Sequence, residues 1–381
     1  LFRDLPRPLR LFSHITPNWF GSIMGTGVVA NAAASLPLQF PGLRAAAIII
    51  WAVAAILLVL LLTATAAHWI HFPQLARRHH LNPMMAHFYG APPMALLTVG
   101  AGTLLVGQTV IGQNAAVIVD TVLWGIGTAL GLASAIAVPY LLFTRHEVAD
   151  DSAFGGWLMP IVPPLVSAAT GALLIPYAPA GQARLDLLLG CYAMFGLGFI
   201  ASLVVIVQIW SRLARHSVGA AAAVPTLWIV LGPLGQSITA ANLLGADAHL
   251  AVNAELARAL ELFGVVFGIP ILGFSLLWAA LAAAITARTV RHTLPFSLTW
   301  WSFIFATGSS VTGLSDLALH TSSVAITVLA VAGYAALVVI WLIVASRTFH
   351  GSVIRGSLLL APAVPALTTA GPVSAGPVSR D

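Results

Sequence analysis

Hydroxyl residues and prolines recur together in this chain, each time inside an otherwise apolar stretch. Tyr89, Pro92, Pro93, Thr98 and Thr103 form one such group, and Pro160, Pro163, Pro164, Ser167 and Thr170 a second. Gly232, Pro233, Gln236, Ser237 and Thr239 form a third, and Thr307, Ser309, Ser310 and Thr312 a fourth. A fifth stretch, ITPNWFGSIMGTGVV from Ile15 to Val29, opens with Pro17 and Asn18 and carries Gly25, Thr26 and Gly27 in its middle. Hydroxyls offer only partial positive charge, and a proline that interrupts a helix frees backbone groups that need a polar neighbour. Neutral donors of this kind bind an anion loosely enough to release it, which conduction requires.

Other residue types point to different chemistry. Asp120, Asp186 and Glu261 fall near the ends of apolar runs, where a carboxylate serves as a proton relay or simply snorkels and pairs, Asp186 with Arg184. His68, His71, His79, His80 and His87 cluster in one connection. His68 and His71 stand three apart, a spacing compatible with a metal, yet no cysteine or carboxylate is near enough in sequence to complete a closed site. Surface histidines that titrate and tune a gate are the reading preferred here, and no metal or other cofactor is expected. HExxH and GxSxG are absent from the sequence, and no paired carboxylates share a helix face, so an enzyme is not expected. A membrane metalloenzyme built on His68 and His71 stands as the alternative from another class.

The elements that position these residues follow from composition. Of 381 residues, 59% are hydrophobic and 7% charged, against roughly 25% charged in a typical soluble domain. Sixteen bases and eleven acids cannot cover the surface of a soluble protein of this length. All the bases are arginines, scattered singly and not gathered in a stripe, so topology explains them and nucleic acid is not an expected partner. The single cysteine, Cys191, excludes an intramolecular disulfide. Residues 1–13 read as a short basic segment running directly into a span, without a cleavable signal.

A crossing helix needs about 20 apolar residues, and ten segments meet that ruler. They are Pro17 to Leu36, Ala45 to Ile70, Phe88 to Gly107, Ala115 to Phe143, Trp157 to Leu174, Leu185 to Trp210, Pro225 to Leu244, Ala254 to Ala287, Leu298 to Leu314 and Ser322 to Ala345. Arginines alternate with them. Arg3, Arg7, Arg10, Arg77, Arg78, Arg145, Arg212, Arg215, Arg288, Arg291, Arg347, Arg355 and Arg380 fall on one side, and Arg44, Arg184 and Arg258 on the other. Positive charge marks the cytoplasmic side, so both termini are predicted there. The chain therefore divides into a cytoplasmic segment 1–14, a ten-helix domain 15–348 and a cytoplasmic tail 349–381. From Ala361 the tail is rich in Pro, Ala, Ser and Gly and is predicted to be disordered.

Because the proline and hydroxyl groups lie in the odd-numbered segments, those segments are predicted to face inward, with Pro93, Pro163, Pro164 and Pro233 as kinks. The residues expected along the path are Gly25, Thr26, Gly27, Thr98, Ser167, Thr170, Ser237 and Thr307. Asn18 is read as a helix cap in preference to a ligand at the mouth. Gly21 with Gly25, Gly127 with Gly131 and Gly264 with Gly268 are small-xxx-small pairs suited to close helix contact.

TPNWFGSIMGTGVV resembles the first helix of the tellurite-resistance and dicarboxylate transporter family, which includes plant slow anion channels, malate permeases and sulfite efflux pumps. WLMPIVPPLVSAATGALL from Trp157, PTLWIVLGPLGQS from Pro225 and FSLTWWSFIFATG from Phe296 resemble it in the same order. The resemblance implies an all-α membrane protein of ten helices in five hairpins around a central pore, assembled as a homotrimer in the plasma membrane among lipids. It implies transport of small anions such as chloride, nitrate, sulfite or malate. It also implies that an aromatic ring of the ninth helix closes the pore, and the matching position is Phe305. In the family that phenylalanine precedes a proline, whereas here Ala306 follows. No arginine lies mid-way along an odd segment, which favours monovalent anions, since a dicarboxylate would use an arginine fork. A proton-linked dicarboxylate or sulfite carrier is the alternative within transport.

Overall fold

The computed structural model describes residues 11–360 except His146 and Thr293. Arg3, Arg7, Arg10 and Arg380, and the tail from Ala361 for which disorder was expected, lie outside the described residues. Within them the chain is helical, without strands. The α-helices are α1 (Phe20–Ser35), α2 (Leu43–His71), α3 (Pro73–Leu81), α4 (Ala91–Gly102), α5 (Gln108–Ile111) and α6 (Gln113–Thr144). They continue with α7 (Pro163–Ala172), α8 (Gln182–His216), α9 (Leu231–Asp247), α10 (Ala254–Val290), α11 (Trp301–Thr321) and α12 (Val324–Phe349). Each apolar segment recognised in the sequence overlaps one of the longer α-helices, though the segment from Trp157 to Leu174 holds only the ten residues of α7 after a 3-10 stretch. Seven helical stretches are long and apolar enough to cross a membrane, beginning at Leu43, Met85, Gln113, Gln182, Ala221, Ala254 and Val324.

The helices form two layers. α1, α4, α7, α9 and α11 make a closed inner ring, each touching the next and α11 returning to α1. On its outside α2 packs against α1, α6 against α4, α8 against α7, α10 against α9 and α12 against α11. Burial separates the layers: 72% of the apolar window containing α4 and 78% of that containing α9 are buried, against 22% for α2, α6, α10 and α12. Inner helices are enclosed by protein on all sides, so they have no need of a continuous apolar surface. That is why α1 and α7, at 16 and 10 residues, and the polar α11 fall outside the seven.

Glycines set the spacing between layers. Gly127 on α6 lies against Leu97 and the Pro93 carbonyl, and Gly131 against Pro163. Gly264 on α10 lies against Asn242, and Gly268 against Leu317 and Ile238. Their small-xxx-small pairs therefore seat outer helices on inner ones.

The prolines behave differently from the kinks expected of them. Pro92 and Pro93 lie in the first turn of α4, Pro163 and Pro164 open α7, and Pro233 is the third residue of α9. At the first turn a missing N–H leaves no intrahelical bond broken. Each follows a 3-10 stretch, Met85–Gly90, Gly155–Leu158 or Ala221–Val230, so the break lies where a tight helix gives way to an α-helix. Prolines inside an α-helix occur in the outer layer, at Pro139 and Pro270.

Helical turns also continue past α12 to Leu359, in what the sequence assigned to the tail. Leu359 is buried against Ile15 and Trp19, with Leu358 and Leu298 beside it. Apolar side chains close to the body of the protein fold onto it.

Candidate functional site

The N-terminal ends of all five inner helices meet at one place. A narrow cavity there is lined by Asn18, Gly21 and Met24 of the first helical segment, Phe88, Ala91 and Met94 of the α4 segment, and Met159 and Val162 ahead of α7. Ile229, Gly232 and Pro233 complete the α9 side, and Leu298, Trp301, Ser302, Phe305 and Ala306 the α11 side. Its volume is about 20 Å³, room for about one water molecule. Among the described residues that line it none is charged, and Asn18 and Ser302 are the polar ones. Helix N-terminal turns carry partial positive charge, and the junctions where 3-10 turns give way to α1, α4, α9 and α11 converge here with the start of α7.

Phe305 forms part of this lining and is 5% exposed. Room for its ring comes from Gly232 on the facing helix, where an added Cβ would lie 3.8 Å from the Phe305 Cε1. Aromatic residues hold the start of α11. Trp300 meets Phe296 and Phe303 edge to face, Phe303 meets Trp228 in the same way, and the Arg347 guanidinium lies 5.2 Å from the Trp300 ring. Trp301 donates from Nε1 to the Thr348 hydroxyl at 3.1 Å, and its ring covers Gly25.

A wider cavity of about 440 Å³ adjoins the constriction and shares Phe88 with it. His87, Phe154, Trp157, Thr226, Ser297 and Thr299 line it, with Arg212, Glu147 and Asp151 at its edge. The His87 ring stacks on Trp157 at 6.0 Å, and its Nδ1 lies 2.6 Å from the Pro83 carbonyl.

The residues expected along the path lie away from the narrow cavity. Thr26 accepts from Trp341 Nε1 of α12 at 3.2 Å, and Ser167 accepts from the Thr128 hydroxyl of α6 at 3.0 Å, so both hydroxyls turn to the outer layer. Gly25 faces Trp301, and Gly27 faces Thr98 of α4. Thr98, Thr170 and Ser237 donate to carbonyls of their own helices at Met94, Val166 and Leu234. Thr307 has a buried hydroxyl with no partner among the described residues. None of these eight lines the narrow cavity. Asn18, read as a cap, lies in its lining and accepts from the Thr16 hydroxyl. For Thr26, Thr98, Thr170 and Ser237 the physical reason is shared: a hydroxyl in an apolar helix first satisfies itself against a carbonyl one turn back or an indole next door.

Other expected pairings also change. Asp186 accepts from Gln182 at 2.6 Å, while Arg184 donates to the carbonyls of Ala178 and Pro176. Asp120 is fully buried against Gly100 of α4. His68 is buried, with Nδ1 2.8 Å from the Phe12 carbonyl and its ring stacked on His79 at 5.2 Å, whereas His71 is exposed, so the two share no pocket. Sequence reasoning passed over Asp316 of α11, which is 6% exposed with Oδ2 unpartnered among the described residues. The spacing of Phe305, Ser309, Thr312 and Asp316 along one helical face was the signal that could have found it.

Comparison with known proteins agrees with this architecture. The chain is 28% identical to a sulfite efflux pump of Arthroderma otae over 348 residues, 89% of this chain and 91% of that protein. It is 26% identical to an uncharacterised transporter of Methanocaldococcus jannaschii over 305 residues, 80% and 83% of the two chains. A putative malic acid transport protein of Schizosaccharomyces pombe is 22% identical over 346 residues, 88% and 79% of the two chains. These relatives are transporters, and the reading as a membrane metalloenzyme falls with them. The voltage-dependent anion channel family matches residues 14–349, and the chain is a multi-pass membrane protein belonging to that family of anion transporters and channels.

Proposed function

We propose that the chain crosses the membrane ten times as five two-helix units and conducts small monovalent anions along the axis of α1, α4, α7, α9 and α11, with Phe305 as the gate. The observation that carries this reading is the constriction itself. It joins the N-terminal ends of five inner helices, its lining is uncharged, and an aromatic ring narrows it to about the size of a water molecule. Five aligned helix ends draw an anion in through partial charges, and the lack of a full cation in the lining lets it leave. Opening needs a rotamer change of Phe305 or a small shift of α11, either of which is within ordinary thermal motion.

Among anions, hydrogensulfite, chloride and nitrate fit better than malate, because a dicarboxylate calls for a bidentate cation that the lining does not offer. The similarity to sulfite efflux pumps supports the same choice. Arginine placement orients both termini to the cytoplasm, and the resemblance supports a plasma-membrane homotrimer, in which the apolar outer faces of α2, α6, α8, α10 and α12 meet lipid or a neighbouring copy.

Purified protein in liposomes tests the reading. Anion flux is measured side by side with chloride, nitrate, sulfite and malate, for the native chain and Phe305→Ala. The expected result is flux of monovalent anions that rises about tenfold or more in the variant, a barrier change of ~1.4 kcal/mol. Unchanged flux in a folded Phe305→Ala protein would place the gate elsewhere, and no flux with any of the four anions would end the transport reading.

A further inference from the structure

Beyond Phe305, polar side chains of α9 and α11 pair in constant register. Gly232 faces Phe305, Gln236 Nε2 donates to Ser309 Oγ at 3.0 Å, and the Thr239 and Thr312 hydroxyls lie 2.9 Å apart. The two helices run parallel, with both N-termini at the constriction. On α11 the steps from 305 to 309, 312 and 316 keep to one face of a helix with 3.6 residues per turn. Continued by one rung beyond Thr239 and Thr312, the same register pairs position 243 with position 316. Asp316 is thus the charged group at the far end of a neutral polar seam that starts at the gate, and its Oδ2 has no hydrogen-bond partner among the described residues.

We infer that Asp316 is a proton-binding residue of the conduit, and that one proton travels with each monovalent anion past it. This inference rests on the transport reading above. An ionised, unpaired carboxylate buried at 6% exposure is costly. It would also repel the anion that the seam conducts, through surroundings that screen charge poorly. A proton taken from water onto Oδ2 removes both penalties and turns the carboxyl group into a donor toward the passing anion. Once the anion has left, the proton returns to water on the side reached. No covalent bond to the anion forms or breaks, and the charge moved per cycle is zero.

The groups that could compete for that proton are few. α1 carries no titratable side chain and α9 only Asp247, at its C-terminal end. α10 carries Glu255, Arg258 and Glu261 near its start and Arg288 near its end, and α12 carries Tyr334 and Arg347. On α11 itself His320 lies one turn on, with Nδ1 2.8 Å from the Asp316 carbonyl oxygen. None of these forms a hydrogen bond to Oδ2.

The test uses the full chain in liposomes containing a pH-sensitive dye, with chloride or nitrate, which carry no titratable proton of their own, supplied outside at neutral pH. In the native protein, anion influx should acidify the interior, and an inward proton gradient should drive anion accumulation. Asp316→Asn should lose both while keeping downhill anion flux, Asp316→Glu should keep both, and Asp120→Asn, away from the seam, should behave as native. Anion influx by the native protein without acidification overturns the inference and leaves the transport reading standing, and so does unchanged acidification in Asp316→Asn. Loss of acidification in Asp120→Asn but not Asp316→Asn also overturns it. If Asp316→Asn does not fold, the native dye signal and Asp316→Glu decide. Absence of anion flux from the native protein overturns both readings.

Discussion

Gly232 of α9 and Phe305 of α11 face each other across the constriction, and a Cβ built on the glycine would stand 3.8 Å from the Cε1 of the ring. That is an ordinary contact distance, so the glycine leaves the ring a place to lie with little space to spare. Because α9 and α11 are neighbours in the inner ring, the position of the ring depends on how closely these two helices approach. Gly235, one turn further along α9, fixes that approach, since a Cβ there would come within 2.3 Å of the Ser309 carbonyl oxygen.

Gly232→Ala should therefore fold with native stability and keep the low flux of the native protein. In the Phe305→Ala background the added methyl occupies part of the space that the ring vacated. The double variant should conduct less than Phe305→Ala alone, and flux measured for the four proteins as a cycle reads the coupling between the two positions. Strict additivity would mean that the two residues do not share the constriction.

Thr26→Val removes the acceptor that satisfies Trp341 Nε1. A hydrogen bond of this kind contributes about 0.5–1.5 kcal/mol, and a buried donor left unpaired costs about 1–3 kcal/mol. The variant should melt at a lower temperature in detergent, with selectivity among chloride, nitrate and sulfite unchanged. A selectivity change without loss of stability would return Thr26 to the wall of the path.

Much of the layered arrangement was legible in the sequence because lipid imposes it. Proline, serine and threonine cluster in the five segments that became α1, α4, α7, α9 and α11, and those helices are enclosed while α2, α6, α8, α10 and α12 are mostly open. The facing of individual hydroxyls was less legible, since it depends on which neighbour reaches them. Thr26 meets an indole from a residue 315 positions away, and Ser167 a hydroxyl 39 positions away. A sequence shows that these residues are polar, and only the packing shows that Trp341 and Thr128 satisfy them. Phe305 was singled out through resemblance, because helical periodicity alone does not separate a ring that lines the constriction from Ile304 or Phe303 beside it. Asp316 had a periodic signal, the run 305, 309, 312, 316, that passes unnoticed when acids are weighed only near the ends of the outer helices.

Gly155 gives a prediction on stability alone. A Cβ there would lie 1.7 Å from the Thr226 carbonyl oxygen, backbone that cannot step aside as a side chain can. Gly155→Ala must push apart the two 3-10 stretches that lead into α7 and α9, with a cost of about 1–3 kcal/mol or more by analogy with overpacked cores. Gly190→Ala and Gly273→Ala, mid-helix positions where nothing lies within 4 Å, should be neutral or stabilising by up to about 1 kcal/mol. Melting temperatures of the three variants in one detergent check the contrast, and equal values would mean that the two stretches sit further apart than described.

The histidines at the end of α2 and in α3 predict a dependence on pH. Burial, followed by the charges of His68, His14 and His80, lowers the His79 pKa from 6.5 to about 4. A histidine whose folded value is depressed binds its proton more readily when unfolded, so stability rises with pH wherever the two values bracket it. The window runs from about 4 to 6.5: above it His79 is neutral in both states, and descending through it the folded arrangement loses ground. His68 joins this cluster to the N-terminal segment through the Phe12 carbonyl, and Asn18, six residues on, lines the constriction. Acidification from pH 7 toward 5 should therefore speed amide exchange over residues 11–19 and 73–81 ahead of the inner helices. His79→Gln, which cannot take the proton, should flatten that response. Exchange mass spectrometry at both pH values measures it, and an equal response in the native protein and the variant would assign the titration to another group.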